Sequence, residues 1–147
     1  MIKSILTLIR VKDWSKNIII FLPIIFSGNL KNESYYSDLF FVFILFSLTS
    51  SFIYIINDLV DIKNDKKHPL KLNKKPLASG KISIKTAIFT MLFITVLLFI
   101  FLQNYKFLYI HLIFYLLINI FYSFFFKQFP IIDVLLISVG YLIRLDV

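Results

Sequence analysis

The sequence predicts an all-α integral membrane protein of about five spans, and three observations carry that reading. The chain is 59% hydrophobic and only 16% charged. Its apolar residues gather into long uncharged runs, and a soluble domain of 147 residues would need a far larger polar shell. Its lysines and arginines collect in the segments between those runs. Phenylalanine and isoleucine are abundant and both favour strands, but no strict alternation of apolar and polar residues accompanies them. Helices win on that ground.

A spanning helix needs about 20 mostly apolar residues. The first candidate, Asn17–Leu30, is short and interrupted by Pro23, and it spans only if Trp14 and its neighbours extend it. Proline is tolerated in such a helix where neighbours satisfy the freed carbonyl. Leu39–Ile56, Thr86–Tyr105 and Phe107–Phe126 carry no formal charge and meet the length requirement. Phe129–Leu145 is the fifth candidate, with Asp133 near its start and Arg144 near its end. The apolar part of the first nine residues is too short for a signal peptide, so the N-terminus is expected to be retained.

Positive charge sets the orientation. Lys3, Arg10, Lys12 and Lys16 precede the first span, eight lysines lie in segment 57–85, and Lys127 follows the fourth span. The alternate connections hold only Lys31 and Lys106. Cytoplasmic loops collect lysine and arginine, which predicts a multi-pass protein of the cell inner membrane with its N-terminus and loop 57–85 in the cytoplasm. That pattern accounts for the net charge of +8 without a nucleic-acid partner. The absence of cysteine excludes disulfides, thiolate metal sites and a cysteine nucleophile.

The stretch "INDLVDIKNDKKHPLKL" raises the functional question, because it follows an uncharged span with three aspartates and an asparagine. If the second span continues as a helix past Ile56, Asn57, Asp61 and Asp65 form one stripe and Asp58 flanks it. Carboxylates so placed repel one another unless a cation joins them. Oxygen ligands suit hard cations, and Mg²⁺ commonly takes one or two carboxylates together with substrate phosphates. The competing reading is a solvated helix end neutralised by Lys63, Lys66 and Lys67. An EF-hand is excluded by the missing glycine and glutamate at their loop positions. No P-loop or dinucleotide fingerprint is present.

"NDLVDIKND" resembles the first aspartate-rich motif, N-D-x-x-D-x-x-x-D, of the UbiA superfamily of intramembrane polyprenyl transferases. "KKPLASGKIS" is similar to the family's R-P-L-A-S-G segment, with Lys75 in place of arginine. "RVKDWSKN" and "YSFFFKQFPIID" resemble the R-P-x-x-W-x-K-N and Y-S-x-x-L-K-x-x-P-x-x-D segments of its decaprenyl-phosphate phosphoribosyltransferase branch, with Val11 in place of proline. The resemblance implies a bundle of about nine helices, of which residues 1–147 would form the N-terminal part of one UbiA-type domain. The family's second aspartate-rich motif is expected beyond Val147, and the chain by itself is expected to be inactive.

The same resemblance implies a Mg²⁺-dependent transfer of a 5-phosphoribosyl group from phosphoribosyl pyrophosphate to a polyprenyl phosphate, for cell-envelope polysaccharide precursors. It assigns Asp58, Asp61 and Asp65 to the metal, and Asp61 and Asp133 to catalysis. Lys16, Asn17, Asn57, Asp58, Lys75, Tyr122 and Lys127 would contact substrate. Alternatives are an aromatic polyprenyltransferase using a prenyl diphosphate and the same aspartates, or a truncated non-catalytic membrane remnant. A transporter fits less well, because the acids cluster at one interface and not near the midplane.

Overall fold

The computed structural model describes residues 2–126 and 129–147, and within that range the side chains of Phe126, Pro130 and Asp133 lie outside the description. Helices follow one another throughout: α1 (Ile2–Leu8), a 3₁₀ helix (Val11–Phe21), α2 (Leu22–Phe26), α3 (Ser34–Val60), α4 (Ile62–Lys67), α5 (Pro69–Lys74), α6 (Ile84–Leu102), α7 (Leu108–Phe121) with a π-helical extension (Tyr122–Phe126), and α8 (Pro130–Leu145). No strand occurs among the described residues.

The three uncharged spans appear as α3, α6 and Leu108–Phe125, the helices long and apolar enough to cross a membrane among the described residues. Pro23 does not break the first candidate. It sits in the first turn of α2, where a missing N–H costs no hydrogen bond. The preceding 11 residues are 3₁₀-helical. Gly28 ends the segment at φ +73°, the left-handed conformation common just past a helix.

Local signals start the long helices. The Asn32 carboxamide oxygen accepts from the backbone N–H and the hydroxyl of Ser34 before α3. Ser83 Oγ accepts from the Thr86 N–H at 3.1 Å and caps α6. With 27 residues α3 is about 40 Å long, so its polar last turn reaches past a ~30 Å apolar layer. Segment 57–85, expected as a loop, instead holds the end of α3, then α4 and α5.

The described residues fall into two compact units. One contains the residues up to Trp14 with Leu48–Ile100. Its core includes Leu8, Ile53, Ile55, Leu77, Ile82 and Ala87. The other contains Ser15–Ser47 and Phe101–Val147. Ile20, Val42, Leu45, Phe46, Leu112 and Tyr115 are buried there, with the Phe46 and Tyr115 rings 5.6 Å apart. Half of the apolar window of α3 is buried, against 11% for α6. Ser47, Thr49, Ser50 and Ser51 on α3 are all buried, and such small polar residues allow close helix packing in lipid. Phe89, Leu92, Phe93, Val96 and Phe99 of α6 are exposed, as a lipid-facing helix requires.

Candidate functional site

The acidic motif spans the end of α3 and the start of α4, which meet at a bend at Asp61. The Asp61 N–H donates to Asn57 O and the Asp65 N–H to Asp61 O, each at 2.9 Å, although α3 formally ends at Val60. Asp58 and Asp65, two turns apart, therefore share a face. Both are buried, with side chains 3% and 2% exposed. That burial excludes the solvated helix end as a description of this motif.

Their partners lie outside the motif, on both sides of it in the chain. Lys75 Nζ lies 3.0 Å from Asp58 Oδ1 and 2.6 Å from Asp65 Oδ2, bridging the two carboxylates. Arg10 donates to Asp58 Oδ1 at 2.9 Å, and Lys71 Nζ stands 3.6 Å from Asp65 Oδ1. Lys63, Lys66 and Lys67, the expected neutralising residues, are exposed. Buried carboxylates are tolerated only when such pairing offsets their desolvation.

Arg10 reaches the site through an uncommon backbone conformation, φ +51°, which stops α1 and redirects the chain into the 3₁₀ helix. Its guanidinium lies 4.4 Å from the centre of the Tyr54 ring. The Trp14 indole donates to Ser51 Oγ at 3.0 Å, and Ser51 Oγ donates to Ile9 O at 2.7 Å. These bonds hold the N-terminal segment on α3 beside the acids.

Burial lowers the pKa of Lys75, but hydrogen bonds to Asp65 and Asp58, and the charges of both, more than offset it. The net shift is upward from the usual 10.5. A raised lysine pKa contributes stability that is complete below the unfolded value and lost as pH rises through the folded one. Proteolysis of segment 57–85 is thus expected to stay constant from neutral pH to near 10.5 and accelerate above it. Lys75→Arg should abolish that alkaline acceleration relative to the parent, because a guanidinium keeps its proton there.

Two buried oxygens near this ion cluster, Asn57 Oδ1 and Asp65 Oδ1, accept no hydrogen bond among the described residues. They are hard oxygen ligands, the donor type that a divalent cation takes. The described residues hold no group of three His, Cys, Asp or Glu side chains arranged around a metal. Asp58 and Asp65 close on the Lys75 ammonium instead, and Asp61 is half-buried at the bend.

The other predicted contacts lie in the second unit or outside the description. Lys16 is exposed. Asn17 is buried, and neither end of its amide is spare: Nδ2 donates to Ser47 Oγ at 2.9 Å and Oδ1 accepts from Arg144 Nε at 2.7 Å. Arg144, near the end of the fifth candidate span, is 8% exposed and bonds also to Gly140 O and the Tyr115 hydroxyl. Tyr122 is half-buried in the π-helical turn. Lys127 and the Asp133 side chain lie outside the described residues. Sequence reasoning missed Lys71 as a partner of Asp65, and the only available signal was its place on a helix directly after the acids.

Membrane-length helices joined by a polar segment that buries two acids and pairs them with lysines define a multi-pass membrane protein with a polar site at a helix end. The family model described as "UbiA prenyltransferase family" matches residues 19–145, and the chain belongs to that family. It is 31% identical over 147 residues to an uncharacterized protein of Sinorhizobium fredii, covering 98% of this chain and 28% of that protein. It is 34% identical over 83 residues to nodulation protein NoeC of Azorhizobium caulinodans, covering 56% and 26%. It is 26% identical over 141 residues to the decaprenyl-phosphate phosphoribosyltransferase of Corynebacterium glutamicum, covering 92% and 42%. The chain thus spans between about a quarter and a half of the length of the curated relatives it matches.

Proposed function

We propose that this chain contributes the donor-binding end of a membrane transferase that moves a 5-phosphoribosyl group from phosphoribosyl pyrophosphate to a polyprenyl phosphate. The observation that carries the reading is the Asp58–Lys75–Asp65 bridge between two buried carboxylates, with two buried oxygens, Asn57 Oδ1 and Asp65 Oδ1, that accept no hydrogen bond among the described residues, on the motif that the family resemblance assigns to a metal–diphosphate complex. Relatives named as decaprenyl-phosphate phosphoribosyltransferases, and the segments around Trp14 and Tyr122, favour the phosphoribosyl donor.

In this reading the acceptor's phosphate oxygen bonds to the anomeric carbon as the bond from that carbon to pyrophosphate breaks. Asn57, Asp58, Asp61 and Asp65 would hold Mg²⁺, which when bound supplies neutralising charge to a departing diphosphate. Lys75 keeps the paired acids neutralised in the absence of substrate. With Arg10 and Lys71 it then offers positive charge to the diphosphate. Lys16, Tyr122 and Lys127 are assigned to substrate phosphates and Asp133 to catalysis. Asn17 acts through Arg144 as a positioning residue. In this reading the basic segments face the cytoplasm, in keeping with the collection of lysine and arginine in cytoplasmic loops.

Membranes carrying the protein expressed from its complete gene should convert labelled phosphoribosyl pyrophosphate and polyprenyl phosphate to a labelled lipid, and a chelator should stop the reaction. Transfer from a prenyl diphosphate to an aromatic acceptor, with none from phosphoribosyl pyrophosphate, would establish the second reading that the family's description supports.

A further inference from the structure

A second polar feature of the first unit stands apart from the aspartates. Between α1 and the segment that follows α5 lies a cavity of about 390 Å³, within the range of small-ligand sites. Lys3, Lys74 and Lys81 line it, and its wall contains no acidic residue. None of these three lysines forms an ion pair among the described residues, unlike Lys71 and Lys75 close by in sequence. Ser4 and Asn73 add polar side chains to the wall that make no hydrogen bond among the described residues. Three cations and neutral donors around one cavity, without a counter-charge, match a phosphate group.

The flanking surface indicates where that phosphate comes from. Ile2 and Leu6, one turn apart on α1, are 75% and 48% exposed. Leu70, one turn before Lys74 on α5, is 68% exposed. Apolar side chains projecting beside lysines on short helices are the pattern of a segment lying in the headgroup layer. We propose that the cavity is a phosphate site for the headgroup of an anionic membrane lipid, separate from the Asp58–Lys75–Asp65 cluster. It holds the N-terminal helix and segment 73–81 to the bilayer surface. The proposal does not depend on the transfer reaction, and its test needs no turnover.

The protein expressed from its complete gene, purified in neutral detergent, is titrated with phosphatidic acid or phosphatidylcholine and the adducts are counted by native mass spectrometry. Phosphatidic acid is expected to bind preferentially. The triple variant Lys3→Gln, Lys74→Gln, Lys81→Gln should weaken it by about tenfold or more. A variant removing the same charge elsewhere, Lys63→Gln, Lys66→Gln, Lys67→Gln, should change it by less than about twofold. Equal losses in the two variants would reduce the effect to general attraction and overturn the cavity. Glycerol 3-phosphate binding as tightly as phosphatidic acid would overturn the lipid source in favour of a soluble phosphate. Weaker binding by it, with competition against the lipid, supports the proposal.

Discussion

Asp65→Asn, in the protein expressed from its complete gene, is expected to lower transfer by about 100- to 1000-fold while leaving insertion and folding intact. The change is isosteric. An asparagine oxygen at this position still accepts from Lys75, and Asp58 keeps both Arg10 and Lys75. What disappears is one of the two buried negative charges, together with the carboxylate oxygen that accepts no hydrogen bond. A structural ion pair would register the loss chiefly as stability, whereas a ligand to a metal–diphosphate complex registers it as turnover. Two readouts therefore decide: Trp14 fluorescence, which reports the Ser51 latch, should be unchanged, and product formation should fall. Asp61→Asn is expected to behave likewise. Full transfer activity in both variants, with magnesium at its usual concentration, would refute the metal role of the motif.

The acids were legible because their placement is local. An uncharged run ending in "NDLVDIKND" puts every member of the motif within nine residues, but periodicity set Asn57, Asp61 and Asp65 on one stripe with Asp58 beside it, whereas the structure bends at Asp61 and joins Asp58 to Asp65 through Lys75. The three long spans were legible for the same reason, since length and charge define them without reference to neighbours. The partners of Lys75 and Arg144 were not. Both are basic residues near a span end or in a loop, where solvated charge is the ordinary reading. Their roles depend on contacts at sequence separations of 10 and 127 residues. Pro23 misled for a related reason: whether a proline breaks a helix or begins one depends on the geometry before it, and an 11-residue 3₁₀ helix leaves no apolar period to read. Local chemistry survives in a sequence, while the partner of a buried charge is set by tertiary closure.

Arg144 offers the sharpest stability test of that closure. Its guanidinium donates to Asn17 Oδ1 and Gly140 O at 2.7 Å and to the Tyr115 hydroxyl at 2.6 Å, and it stacks 4.6 Å from the centre of the Tyr115 ring. Three acceptors in three directions match a planar fork, and a lysine ammonium cannot reach them together. Arg144→Ala should cost about 2–4 kcal/mol in detergent unfolding, combining an orphaned Asn17 oxygen with the space left by truncation. Relief of the buried charge offsets part of that cost. Arg144→Met refills the volume and isolates the polar contribution, with an expected loss of about 1–2 kcal/mol. Adding Asn17→Leu removes the stranded acceptor, so the double variant should lose less than the sum of the two singles. A strictly additive pair would mean that the Asn17–Arg144 bond contributes nothing, and that Arg144 acts through Tyr115 and Gly140 instead.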